Sequence, residues 1–333
     1  MVQLSRRSFF NHAAGLSMSL LMLGGCAHRL SAGRVPRVGY LTGNAFPTLV
    51  AAFREELRSL GYVEGVDLIL EMRQDRPNSR DGEVHAAELA AMNLDVIVAA
   101  ALPYALELQR LKSHTPTVLA TGPGLVSNGL AQSMERPGGN VTGMDELPPG
   151  LTGTRLRLLK EAAPQLSRVA LLSTTPGRGG HQVQLADAEA TAPNLGLSVR
   201  PYRATNLAEL QDALARLVAD RMEGFVSFQG GLALVNRAMI VDFARQHRLP
   251  AIYQSRLFVE AGGLMSYAPD QEEQFRTAAR YVDRILKGAR PGDLPIQHPA
   301  RYFLTVNRSA AALIGLTLPP RILDQADQVI GRP

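Results

Sequence analysis

The strongest constraint on this chain is a regular alternation of short strand-like runs with amphipathic helical runs, interrupted once near the middle at residues 131–144, AQSMERPGGNVTGM. Pro137-Gly138-Gly139-Asn140 ends any helix there, Val141-Thr142 can restart a strand, and Gly143 allows a sharp exit. Before the interruption, residues 37–41, 66–72, 95–101 and 117–120 read as strands. Residues 46–60, 82–92 and 103–112 carry apolar side chains at helical spacing. The DVIVAAA run at 95–101 is nearly all apolar, as expected of a parallel strand covered on both faces. After the interruption the pattern restarts, with strands at 168–172, 197–202, 224–228 and 250–253 and helices between them. Repeated strand–helix order implies parallel sheets with right-handed crossovers. The expected architecture is therefore α/β, two doubly wound parallel-sheet lobes joined by a multi-strand hinge. The expected division is residues 37–144 plus 264–290 for the first lobe and 145–263 plus 291–333 for the second. Hinges are expected near 143–149, 267–270 and 288–295.

With 333 residues, 46% of them hydrophobic and 20% charged, the chain has enough apolar material for two cores. The start, MVQLSRRSFFNHAAGLSMSLLMLGGCAHRL, places Arg6-Arg7 before a short apolar run and small residues, which is a signal-peptide layout covering residues 1–26. Ser5-Arg6-Arg7-Ser8-Phe9-Phe10 resembles the twin-arginine export motif, and Leu23-Gly24-Gly25-Cys26 resembles a bacterial lipobox. Acylation of Cys26 would explain why an exported chain carries a single cysteine, and the expectation is a periplasmic protein anchored to a membrane surface without spanning it. Residues 27–36 then form a tether. Without Arg6 and Arg7, 33 basic residues face 30 acidic ones, dispersed along the chain, so nucleic acid is not an expected partner.

In open α/β sheets ligands sit beyond the carboxyl ends of the strands, and two facing lobes bring those ends to one cleft. The ligand-binding candidates are therefore Thr42, Gly43, Asn44, Ala101, Leu102, Thr121, Gly122, Ser173, Thr174, Phe228, Gln229, Tyr253 and Tyr267. They offer hydroxyls, amides, aromatic rings and backbone N–H groups. Asp270 also lies at such an end, but Asp270-Gln-Glu-Glu273 reads as a capping box for the following helix. The run from Gly177 to His181 reads as a lip of the cleft. No G-x-S-x-G elbow, H-E-x-x-H or Walker A sequence occurs, the seven His are dispersed, and Gly122-Pro123-Gly124 fails the dinucleotide fingerprint. No catalytic residue, metal site or cofactor is expected.

Taken together, Phe53-Arg-Glu-Glu-Leu-Arg-Ser-Leu-Gly61, Arg136-Pro-Gly-Gly-Asn-Val-Thr-Gly143, Leu249-Pro-Ala-Ile-Tyr253, Glu260-Ala-Gly-Gly-Leu-Met-Ser-Tyr267 and Tyr281-Val-Asp-Arg-Ile-Leu-Lys-Gly288 resemble the ABC transporter substrate-binding protein family that includes tryptophan- and tyrosine-binding lipoproteins. The resemblance runs from Arg37 to about Ile330. It implies a type I periplasmic-binding fold, a small-molecule solute that is amino-acid-like or aromatic, and delivery to a membrane permease with its ATPase. A monomer is expected. Three departures bear on the ligand. Ala101-Leu102-Pro103 stands where the family often has Thr-Pro or Ser-Pro, Gly122-Pro123-Gly124 where it often has Ser-Asp-Pro, and Thr175-Pro176 where it commonly has Asn-Pro. A ligand sensor for a membrane receptor and an exported α/β enzyme are the alternatives.

Overall fold

The computed structural model describes residues 34–43, 47–75, 81–175 and 179–331. The signal-peptide and lipobox readings, Cys26, most of the tether, Asn44 and part of the 177–181 lip lie outside the described residues. No described helix is long and apolar enough to cross a membrane.

The first lobe runs β1 (Arg37–Thr42), α1 (Pro47–Ser59), β2 (Ile69–Gln74), α2 (Asp81–Ala91), β3 (Val96–Ala99), α3 (Leu102–Arg110), β4 (Thr117–Leu119) and β5 (Val141–Gly143). Its five strands are all parallel, in the order β2-β1-β3-β4-β5. β3 is buried along its whole length, which is why its sequence carries no alternation. The second lobe runs α4 (Leu151–Ala162), β6 (Arg168–Ser173), α5 (Gly179–Thr191), β7 (Ser198–Arg203), α6 (Leu207–Ala219), β8 (Gly224–Ser227), α7 (Gly231–Val235), α8 (Arg237–Gln246), β9 (Ala251–Tyr253), α9 (Arg256–Glu260) and β10 (Met265–Pro269). The chain then returns to the first lobe through α10 (Gln271–Leu286), and ends in the second with β11 (Tyr302–Asn307), α11 (Arg308–Leu313), α12 (Pro320–Gln325) and β12 (Gln328–Ile330). The seven strands of the second sheet lie in the order β12-β11-β10-β9-β8-β6-β7, parallel except where β11 runs against β10.

Two expected lobe boundaries move. Met265–Pro269 belongs to the second sheet, because β10 hydrogen-bonds β9 on one side and β11 on the other, with Met265 in the second core. Conversely, residues 291–297 stay with the first lobe. Leu294 packs in the core of β1, β3 and α1, its carbonyl accepts from Thr142 Oγ1 at 2.7 Å, and Gln297 bridges Met144. The third crossing between lobes therefore falls at 298–301, later than expected.

α10 is amphipathic and seats Phe275, Ala278, Ala279 and Val282 on the same core as Phe53, Val50 and Leu57 of α1. Its Asp270 side chain accepts from the Glu273 N–H at 3.2 Å, the cap its sequence implied. Gly143 is where the first lobe hands the chain over. Its φ is +130°, and a Cβ there would lie 2.1 Å from the Leu119 carbonyl oxygen, so β4 and β5 close up only with glycine.

Candidate functional site

The carboxyl ends of both sheets form two facing rims. On the first rim, Thr42 and Gly43 end β1 and Asp75 follows β2. Asp75 accepts from Tyr104 Oη at 2.9 Å and meets His85 Nδ1 at 2.9 Å, tying α2 and α3 to the strand end beside Gly43. Burial, then Asp75, raises the Tyr104 pKa, so the phenol stays a donor. Ala101 is the extended N-cap of α3 and supplies no side-chain cap. Thr121 Oγ1 donates to the Ala100 carbonyl at 3.2 Å. Asp145 is fully engaged: its carboxylate accepts the N–H groups of Gly124, Leu125 and Leu147, each at 2.9 Å, and so holds the loop after β4 in place.

The second rim is built differently. Ser173 ends β6 and Thr174 follows it, Gln229 follows β8 and Gln254 follows β9. All are buried, yet Thr174 Oγ1, Ser227 Oγ, Gln229 Oε1, both amide atoms of Gln254 and both ring nitrogens of His181 have no hydrogen-bond partner among the described residues. His181 lies in the first turn of α5, its ring 6.0 Å from Phe228, and burial, then Arg203, lowers its pKa, keeping it neutral. Gln184 Oε1 accepts from the Gln229 N–H at 3.2 Å, fastening α5 to the end of β8.

Between the rims, the first crossing carries Glu146. Its N–H donates to the Gly122 carbonyl at 2.9 Å and its Oε2 accepts from Gln229 Nε2 at 3.1 Å, so this one residue touches both lobes. Arg155, on α4, is fully buried and gives Nε and Nη2 to the Tyr267 carbonyl at 3.0 and 2.9 Å. Burial pulls its pKa down to about 10 against the opposing pull of Tyr302 and Glu146. At the far edge the rims meet: the Gly179 N–H donates to Asn128 Oδ1 at 3.0 Å, and a Cβ on Gly179 would lie 2.0 Å from the Ser127 carbonyl oxygen.

Beside the rims, on the side of α1 and α10, lies a cavity of about 500 Å³ lined in part by Thr48, Ser255, Pro269 and Phe303. None of the thirteen candidates is in its described lining. Among its charged groups Arg301 pairs with Asp327 and Arg256 with Glu260, and none of its described lining residues carries an unpartnered buried polar atom.

Of the candidates, Thr42, Gly43, Ala101, Thr121, Gly122, Ser173, Thr174 and Gln229 stand on the rims. Leu102, Phe228 and Tyr253 are in the cores: Leu102 packs with Leu119, Leu125 and Ile296, Phe228 with Leu171 and Ile252, and the Tyr253 ring stacks on Phe258 at 4.6 Å. Tyr267 is only partly buried, its ring 5.6 Å from Tyr302 and its carbonyl taken by Arg155. The residues not foreseen are Asp145, Glu146, Arg155, Gln184 and Gln254. Two adjacent acids one residue beyond a glycine strand exit, in an otherwise apolar segment, mark the first pair. Arg155 has no such mark, since Arg157 and Lys160 stand among the same leucines of its helix and only the fold buries Arg155.

The family described as ABC transporter substrate binding protein matches residues 38–330. The chain belongs to this family. A tyrosine-binding protein of Clostridioides difficile strain R20291 is 22% identical over 245 residues, 73% of this chain and 70% of that one. Among solved structures, an ABC domain in complex with L-Trp from Streptococcus pneumonia superposes with TM-score 0.82 at 21% identity, covering 89% of this chain and 100% of that one. A conserved domain protein from Vibrio cholerae superposes with TM-score 0.81 at 24% identity over the same shares. The ligand-free, open structure of a substrate binding protein with adhesive properties from Clostridium difficile gives 0.66 at 20% identity, covering 90% and 100%. The fold is that of the type I periplasmic binding proteins.

Proposed function

We propose that this chain is the solute-binding lipoprotein of an ABC import system. It captures a small amino-acid-like or aromatic molecule between its lobes and delivers it to a membrane permease driven by an ATPase. The observation that carries this reading is the second rim, where Thr174, Ser227, Gln229, Gln254 and His181 are buried with hydrogen-bonding atoms that no described residue satisfies. Leaving such an atom unmet costs about 1–3 kcal/mol, so a set of them facing an opposed rim favours a polar guest. Glu146, held by Gln229 while hanging from Gly122, lets the two lobes close as one on that guest. Export through residues 1–26, acylation at Cys26 and a short tether to the membrane complete the reading, with the mature protein a periplasmic monomer that uses no cofactor.

The test is a thermal-shift screen of the full chain in mild detergent against amino acids, aromatic acids, small amides, purines and sugars. A bound solute at 100 times its dissociation constant stabilises the folded form by about 2.7 kcal/mol. One chemical class raising the melting temperature supports capture; a flat response from folded protein across every class contradicts it.

A further inference from the structure

Resting on the capture reading above, we infer that Glu146 is the counter-ion for a cationic nitrogen on the captured solute, so that the cleft selects ammonium-bearing compounds over their uncharged or purely anionic counterparts. The other acids near the rims are already engaged. Asp75 is held by Tyr104 and His85, Asp145 by three backbone N–H groups, Asp187 by the Thr152 and Gly153 N–H groups at 2.7 and 3.0 Å, and Asp270 by its helix cap. Glu146 is different. It is 6% exposed, its carboxylate is met by a neutral amide from Gln229, and Arg155 spends two donors on the Tyr267 carbonyl and makes no ion pair with it. A buried carboxylate without a cation in contact is costly, and it is relieved either by taking up a proton or by receiving a positive charge.

The position suits the second route. Glu146 hangs from the Gly122 carbonyl at the end of β4, where this chain has Gly122-Pro123-Gly124 and no acid of its own. It faces Gln229, whose Oε1 has no partner. An ammonium placed there meets one carboxylate and one amide oxygen, two acceptors for its three N–H donors.

The groups around Glu146 are Asp145 beside it, Arg155 from α4, Tyr302 from β11, Gln229 from β8 and Gln274 from α10. Burial pushes the Glu146 carboxyl above its ordinary range, opposed by Gln274, Gln229 and Arg155. An arriving ammonium favours the ionised form. Below the raised pKa the Glu146 O–H bond therefore breaks as the solute enters, the proton passes to solvent, and the carboxylate oxygen accepts from the ammonium. Affinity for an amine accordingly rises with pH across that range, with up to one proton released per solute bound.

The experiment is isothermal titration of the full chain with L-tyrosine, L-tryptophan, their des-amino analogues 3-(4-hydroxyphenyl)propanoate and indole-3-propanoate, and D-glucose, in buffers of differing ionisation enthalpy. The expected result is binding of an amine, loss of about ten- to a hundred-fold in affinity on removing its amino group, and a similar loss in Glu146→Gln together with the buffer-dependent proton release. Glu146→Asp, which keeps the charge, retains the preference for the amine. Equal affinity for amine and des-amino partner, binding of the sugar alone, or undiminished amine binding by a folded Glu146→Gln overturns the inference while capture stands. Silence from every solute, here and in the broader screen, removes capture and the inference together.

Discussion

The two rims of the cleft face each other with opposite chemistry. On the first rim Thr121 is engaged on the Ala100 carbonyl, Tyr104 and His85 on Asp75, and Asp145 on three backbone N–H groups, while the first lobe's unpartnered buried polar atoms are Tyr40 Oη in the core and the Gln274 amide on α10 among the described residues. On the second lobe, Thr174, Ser227, Gln229, Gln254 and His181 are more deeply buried than Asp75, His85, Tyr104 and Thr121, yet carry atoms with no partner among the described residues. A satisfied network makes a rigid platform, whereas an unsatisfied one is a cost to the free protein that a guest can relieve. The contrast assigns the first rim to shape and the second to recognition.

Asp145→Ala should be the most damaging change. Three buried N–H groups lose their acceptor, and unfolding in urea should show a loss of about 3 kcal/mol or more. Gly143→Ala should follow at about 2–3 kcal/mol by the same measurement, since the new Cβ meets backbone and no side chain can step aside. Gly179→Ala should leave unfolding nearly unchanged but hold the rims apart at Ser127, weakening solute affinity by about ten-fold, or about 1.4 kcal/mol. Thr174→Val should change unfolding by less than about 1 kcal/mol, because no protein partner is lost, while reducing affinity measurably. If Thr174→Val instead destabilised the protein as much as Asp145→Ala, the division between rims would be wrong. The smallest effect is on pH. A carboxyl whose pKa is raised on folding stabilises fully below its unfolded value of about 4.5 and loses that contribution as pH rises through the folded value. Melting curves of Glu146→Gln should therefore gain on the parent chain as pH rises through this window.

The fold was legible in the sequence because burial on both faces of a parallel strand and helical spacing between strands leave strong local marks, as at 95–101 and in the apolar stripe of Phe275, Ala278, Ala279 and Val282. Lobe membership of Met265–Pro269 was not, since pairing to β9 and β11 depends on distant partners. β12, with three residues, is too short to show a period. The rims were half legible. Strand ends pointed to Thr174 and Gln229, but the same rule selected Phe228 and Tyr253, whose side chains turn into the cores, and passed over Gln254, one residue further on. Side-chain direction alternates along a strand, so an error of one residue exchanges core for cleft. Glu146 escaped because its role comes from two lobes meeting, and Arg155 because its partner, the Tyr267 carbonyl, lies far along the chain in the same lobe; no local pattern records either.

The most direct test of the contrast is amide hydrogen exchange on the full chain with and without the solute found by screening. Added protection is expected to concentrate at 173–175, 227–231 and 253–255, with little change in the already braced 121–125. Protection confined to the first lobe, or spread evenly over both, would contradict it.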